Sequence, residues 1–193
     1  MSAKVIRIFC CDPGSQFFGW ALLEYDLSTG RTTAVKYGTI TGKSLLKQKT
    51  DLHPFFEKRA LCLWALEEAL TTMFEEMSPL YIVSESPFMH RFVQTFVVLT
   101  LIVQAIRTAA RRTVGRDIYL IAPKESKQTI SKSGTSDKQA VQDAIFNDPS
   151  IVIKNLKSNQ AELTEHVYDG IAAGVTFIRN YLPAILAAEK ITS

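Results

Sequence analysis

The sequence has little of several things, and each shortage removes a class of protein. Cysteine is scarce: Cys10, Cys11 and Cys62, an odd number with two adjacent in an apolar run. That spacing supplies neither a disulfide framework nor a zinc site, and it points to buried free thiols in a reducing compartment. Charge of one sign is also lacking. The net +3 at pH 7 permits nucleic-acid binding without arguing for it, so a footprint must come from local clusters of Lys and Arg. No Pro/Gly-rich linker, internal repeat or low-complexity tract divides the 193 residues, which are expected to form one domain, 1–193. Residues 1–11 are too short and too β-like for a signal peptide, and they lack the Arg/Ser character of a transit peptide. Nor is there an uninterrupted apolar run of about 20 residues, the length a membrane span requires. The nearest stretch, 92–106, is shorter and is broken by Gln94, Thr95, Thr100 and Gln104. It is expected to be a buried or subunit-interface helix of a cytoplasmic protein with no membrane partner.

What is present is a pattern of strands followed by helices. Residues 4–11 and 17–25 are β-rich apolar runs, and Ser28-Thr29-Gly30-Arg31 supplies turn chemistry before a third run at 32–40. Residues 41–54, with Lys43, Lys47 and Lys49, are polar and are expected to be a surface connection. Leu61, Trp64, Ala65, Leu66, Ala69, Leu70 and Phe74 recur at helical spacing over 56–77. Pro79 ends that helix, and 80–83 is a short strand leading to Glu85. A long helix at 91–112, a strand at 117–122 and helices near 124–130, 137–146 and 163–181 complete the chain. An antiparallel opening meander, then strands joined by helical crossovers, predicts an α/β fold with a mixed sheet flanked by helices.

Three acids stand where such a sheet would expose them. Asp12 ends the first strand, immediately before Pro13-Gly14-Ser15. Glu85 ends a later strand, immediately before Ser86-Pro87. Alone, each has an ordinary reading, a turn-forming Asp or a solvated strand-end Glu. If the two strands are neighbours the carboxylates repel, and a divalent cation relieves them. The third lies in Glu165-His166-Val167-Tyr168-Asp169-Gly170, where His166 and Asp169, or Glu165 and Asp169, share a helix face. Its ordinary reading is an acidic first turn favoured by the helix dipole. Gly170, Ala172, Ala173 and Gly174 are small enough to let that helix approach the sheet closely. Lysines cluster after the last short strand, at Lys124, Lys127, Lys132 and Lys138. Ser136 and Gln139 have capping-box spacing, which puts Lys138 in a first helical turn where its cation opposes the dipole unless an anion binds there.

These segments, in order, resemble the RuvC-type Holliday-junction resolvases. The likeness is carried by Phe9-Cys10-Cys11-Asp12-Pro13-Gly14-Ser15 with Gly19, by Ser84-Glu85-Ser86-Pro87-Phe88-Met89, and by His166-Val167-Tyr168-Asp169-Gly170-Ile171-Ala172. A fourth stretch, Ala122-Pro123, Lys127-Gln128-Thr129, Gly134 and Lys138 to Gln142, is similar to the one that bears DNA-contacting lysines in that family. The resemblance implies an RNase H-like fold with a five-stranded mixed sheet. It implies that Asp12, Glu85, His166 and Asp169 are catalytic and hold two Mg²⁺ ions, with Mn²⁺ able to substitute. His166 stands where the family usually has an acid. Imidazole favours Mn²⁺ and transition ions over Mg²⁺, and Glu165 is a rival fourth ligand.

The same resemblance implies DNA binding through Lys124, Lys127, Lys132, Lys138 and Phe88, the last presented to unstacked bases. His90, Arg91 and Gln94 are nearby candidates for backbone contact, and His53 reads as a loop residue. The apolar helix at 92–106 would form a homodimer matched to the two-fold symmetry of a four-way junction. The expected function is therefore symmetric metal-dependent nicking of four-way DNA, from a bacterial or viral source. Two rivals remain: a nuclease of the same fold acting on broader branched or RNA-containing substrates, and a junction-binding protein without catalysis. A kinase or phosphatase of actin-like fold would need a second glycine-rich phosphate loop, which the sequence does not contain.

Overall fold

The computed structural model describes residues 4–52, 54–89, 92–154 and 163–191. Its centre is a six-stranded sheet in the order β5-β4-β1-β2-β3-β6. The strands are β1 (Val5–Asp12), β2 (Phe17–Asp26), β3 (Thr32–Thr41), β4 (Tyr81–Glu85), β5 (Tyr119–Ile121) and β6 (Ile151–Ile153). The first three form the expected antiparallel meander, while β4 runs parallel to β1, β5 to β4 and β6 to β3. Five strands were expected from the sequence, and β6 is the sixth. It is three residues long and follows a turn built by Asp148 and Ser150, too short for period-two alternation to reveal.

Helices cover both faces. They are α1 (Gly42–Gln48), α2 (Lys58–Met77), α3 (Val93–Thr113), α4 (Pro123–Ser131), α5 (Lys138–Asn147), α6 (Glu165–Asn180) and α7 (Leu182–Ile191). Two differ from expectation. The polar stretch 41–54 is not merely a connection, because Thr41 caps α1 by accepting from the Ser44 N–H at 3.1 Å. The helix read over 163–181 is followed by a second one, α7, after a break at Tyr181.

Alternation along the strands divides the core in two. Ile6, Ile8 and Cys10 of β1, with Tyr81 and Val83 of β4, pack against Val167, Ile171 and Val175 of α6. Phe9, Cys11 and Ile82 face the other way, onto Leu66, Leu70 and Phe74 of α2 and Ile106 of α3. Close approach of α6 depends on the glycines expected to permit it. A Cβ at Gly174 would lie 2.6 Å from Leu23 Cδ1 and 2.9 Å from Cys10 Sγ, and one at Gly170 would lie 3.3 Å from Cys11 Cα. Cys10 and Cys11 are buried free thiols; burial pushes Cys11 up to about 12 and Cys10 well above its ordinary value.

By length and composition, α3 is apolar enough to cross a membrane. Its second half packs as a core helix does. Ile102, Val103, Ile106, Ala109 and Ala110 are buried, and Arg107, Arg111 and Arg112 pair with Asp117 and Glu67. Its first half is different: Phe92, Val93, Val97 and Leu101 are exposed.

Candidate functional site

Asp12 and Glu85 come together because their strands are parallel neighbours. Ile8 lies beside Tyr81 and Cys11 beside Ser84, so the next pair along the ladder is Asp12 and Glu85. Adjacent strands are about 4.8 Å apart. Side chains alternate, so Asp12 faces the same side as Ile8 and Cys10, and Glu85 the same side as Tyr81 and Val83. That side is where α6 passes. Asp169 precedes Gly170, whose missing Cβ lets the helix lie against the Cys11–Asp12 backbone. The turn after Asp12 is equally tight: Pro13 is buried, and a Cβ on Gly14 would lie 2.1 Å from the Phe17 carbonyl oxygen.

Two of the three carboxylates are pushed up by burial and by their neighbours. Burial, then Asp12 and Asp169, push Glu85 up to about 9. Burial, then Asp12, push Asp169 up to about 6. Lys127 opposes both shifts, and Lys138 and His166 oppose that of Asp169, so these cations face the acids. His166 Nδ1 lies 2.8 Å from Asp12 Oδ2, an N–H donating to the carboxylate, and this bond is the main cause of the imidazole's raised pKa. Phe17, the first residue of β2, stacks on that imidazole with centroids 5.6 Å apart and planes 18° apart. Gly19 makes room for the same residue, since a Cβ there would lie 2.3 Å from the His166 carbonyl carbon.

Glu165, the rival fourth ligand, is turned elsewhere. Its Oε2 is 2.8 Å from Lys138 Nζ, its Oε1 is 3.7 Å from His166 Nε2, and the Lys138 bond holds its carboxyl below the usual range. Among the described residues, no group of three or more His, Cys, Asp or Glu side chains is already gathered as a metal site. The donor chemistry nonetheless fits a divalent cation. Oxygen donors are what hard cations take, and the mutual repulsion that lifts Glu85 and Asp169 is what a cation removes. Such an ion would compete with His166 for Asp12 Oδ2.

Of the lysines expected to meet DNA, Lys127 and Lys138 face the acids from the α6 side. Lys127 lies within α4, and Lys132 closes that helix in a left-handed conformation with φ 61°. The Lys124 stem packs over Gly134, where a Cβ would lie 2.7 Å from its Cγ. Lys138 is the first residue of α5, as expected, but the cap is Asp137 and not Ser136. Asp137 Oδ1 accepts from the Ala140 N–H at 2.8 Å, while Gln139 donates to Asp143 and Ser136 bonds back to Ser133. Asp137 offers the orphan N–H a charged acceptor, while the serine one residue earlier is turned back onto the preceding loop. Lys138 and Glu165 are both about half exposed, so their pairing holds Lys138 by at most about 1 kcal/mol. Phe88 is 63 % exposed after β4, and Gln94 is exposed in the first turn of α3. His53, His90, Arg91 and residues 155–162 lie outside the described residues. Phe17 and Gly19 acquire their contacts to His166 only through the fold; in the sequence they are an aromatic and a glycine on an alternating strand.

No family profile matches the sequence, and no curated protein matches it. Solved structures do match. RuvC from Thermus thermophilus is 15 % identical with a TM-score of 0.66, over 89 % of this chain and 92 % of that one. Thermus thermophilus RuvC in complex with a Holliday junction substrate is 13 % identical with a TM-score of 0.62, over the same shares. The yeast mitochondrial Holliday junction resolvase Ydc2 is 14 % identical with a TM-score of 0.60, over 90 % of this chain and 79 % of that one. At these identities the likeness establishes the fold alone: a mixed α/β sheet flanked by helices, like that of RuvC.

Proposed function

We propose that the chain is a divalent-metal-dependent endodeoxyribonuclease that resolves four-way DNA junctions. The observation that carries this reading is the convergence of Asp12, Glu85 and Asp169 at one sheet edge, in a fold whose solved examples include Holliday-junction resolvases. Asp12, Glu85 and Asp169, with His166, would hold two Mg²⁺ ions or Mn²⁺ in their place. The chemistry supplied by such a pair would be activation of a water and charge stabilisation at the leaving 3′ oxygen, with 5′-phosphate and 3′-hydroxyl ends as the products.

The chain's own residues supply the rest. Burial keeps water from screening the carboxylates, so the cluster strongly favours a cation. Lys127 and Lys138 draw the phosphodiester towards the acids, and a phosphate displaces Glu165 from Lys138 at little cost. Lys124 and Lys132 extend that basic side, and Phe88 offers its ring to an unpaired base. The exposed stripe Val93, Val97 and Leu101 on α3 suits a two-fold homodimer, which would present two sites to the symmetric strands of a junction. This activity would serve DNA recombination and repair.

The test is incubation of the purified protein with a synthetic four-way junction in Mg²⁺ and in Mn²⁺. Paired symmetric nicks, with forks, flaps and hybrids cut more slowly, are expected. Equal cutting of those other substrates would replace the junction resolvase by a broader branched-substrate nuclease. Junction binding with no cleavage in either metal would replace it by a non-catalytic junction binder, the role that His166 bonded to Asp12 favours.

A further inference from the structure

The edge that carries the carboxylates is basic on both faces of the sheet. On the α6 side are the lysines of α4 and α5. On the other side, α1 and the start of α2 build a second basic surface. Thr41, at the end of β3, pairs with Phe17 at the start of β2, so α1 leaves the sheet at the carboxylate edge. Gly42 ties it to the turn that follows Asp12: its N–H donates to the Gln16 carbonyl at 3.0 Å, and a Cβ would lie 2.6 Å from the Ser15 oxygen.

Residues 42–59 hold Lys43, Lys47, Lys49, Lys58 and Arg59 against Asp51 and Glu57. Lys49 is engaged by Glu68 at 2.7 Å and lies over the Trp64 ring. The other four cations are exposed, and among the described residues none of them is in an ion pair. Lys58 and Arg59 occupy the first turn of α2, whose cap residue Glu57 makes no side-chain bond to the free N–H groups. Cations there oppose the helix dipole, an arrangement that an anion relieves.

Two aromatic rings stand among these charges. Phe55 is 78 % exposed and Phe56 is 55 % exposed, although the turn beneath them is ordered by N–H bonds from both residues to the Leu52 carbonyl. A cavity of about 250 Å³ opens beside the start of α2, between Gly14, Ser15, Leu45, Lys58, Arg59 and Cys62. That falls below the ~300–1,000 Å³ of ordinary small-molecule sites and suits a single flat ring better than a cofactor. Cations that track a backbone, interleaved with open aromatic faces, are the chemistry of single-stranded nucleic-acid binding. A second copy of the chain fits poorly, because a two-fold contact would set these cations against their own copies.

We propose that the α1–α2 surface binds an unpaired DNA strand beside the cut phosphate, with Lys43, Lys47, Lys58 and Arg59 on its phosphates and Phe55 and Phe56 stacked on its bases. The proposal rests on the nuclease reading and deepens it: the substrate is opened at the crossover, and strands leave the carboxylates over both faces of the sheet.

Two double variants test it, Lys43→Glu with Lys58→Glu and Phe55→Ala with Phe56→Ala. Affinity for a four-way junction, a duplex arm and a single strand is read by fluorescence anisotropy in EDTA, over a series of salt concentrations. Charge reversal is expected to weaken junction and single-strand binding by about tenfold or more. It should also flatten the slope of log affinity against log salt by about two. The aromatic pair is expected to weaken single-strand binding about tenfold with the salt slope unchanged. Melting temperature and sedimentation should remain those of the wild type.

Unchanged affinity of both variants for junction and single strand, while the wild type binds and cuts junctions, would overturn the proposal. A shift from dimer to monomer in the Phe55→Ala, Phe56→Ala protein would also overturn it, and would assign the surface to a second copy. Failure of the wild type itself to bind or cut a junction removes the nuclease reading, and this inference with it.

Discussion

α3 and α6 are both long apolar helices, and they are used in opposite ways. α6 is enclosed from Gly170 to Ile178, lying on β1 and β2 beneath α4 and α5. α3 is enclosed only over its second half, and its first half shows Val93, Val97 and Leu101 to solvent. Apolarity does not separate them, but side-chain size does. Glycine and alanine let α6 approach the sheet until backbone meets backbone, which delivers Asp169 to the acids on the strand ends. Valine and leucine along the first half of α3 stay exposed, on the face that the proposed homodimer would cover.

That contrast can be broken at several points. The largest effect is expected from the acid that α6 delivers: Asp169→Asn should abolish junction cleavage, as should Asp12→Asn and Glu85→Gln, with junction binding in EDTA largely retained. Full cleavage by any one of these would remove the acids from the mechanism. Next is the approach of α6 itself. Gly174→Val places atoms within 2.6–2.9 Å of Leu23 and Cys10 and should cost about 1–3 kcal/mol in urea unfolding. Leu101→Ser, on the open half of α3, should stay within about 0.5 kcal/mol.

A smaller effect follows from pH. Glu85 is raised from 4.5 to about 9 on folding, so over that interval the metal-free folded state holds a proton that the unfolded state has lost. Stability should therefore fall as pH rises from about 4.5 to about 9. Glu85→Gln should flatten that decline in thermal melts, and Mn²⁺ should oppose it in the wild type only; an identical pH profile for the variant would contradict the assigned cause. The smallest effect on the fold is expected from Val97→Glu with Leu101→Glu. It should convert dimer to monomer in sedimentation while changing protomer stability by no more than about 0.5 kcal/mol. A wild type that sediments as a monomer would show that the open half of α3 serves something other than self-association.

Much of the fold was legible in residue pattern. The β1–β3 meander, α2 with its stop before Pro79, and α4 and α5 all lie within a few residues of where periodicity and punctuation place them. β6 and α1 were not, because one is three residues long and the other is polar and capped by a threonine that also ends a strand. At the site, Asp12, Glu85 and Asp169 were picked out as a set by their colinear resemblance to a resolvase pattern, and the fold brings their positions to one sheet edge. Glu165 and His166, adjacent in sequence, could not be told apart until helix geometry turned one to Lys138 and the other to Asp12. Lys43 read as part of a surface connection, and Lys58 and Arg59 gave no signal of their own, since only the fold carries them to the carboxylate edge.

The sequence by itself determined which residues bear charge, where strands and helices begin, and which helix is small enough to lie close to a sheet. Those are local properties, set by side-chain chemistry and spacing. Tertiary structure alone decided that β1 and β4 are parallel neighbours, that three acids come to one sheet edge, and that two basic surfaces flank them on opposite faces. Each of these depends on contacts between residues far apart in the chain. The energy of such contacts comes from burial and from the distance between charges, and neither exists until the sheet has closed around them.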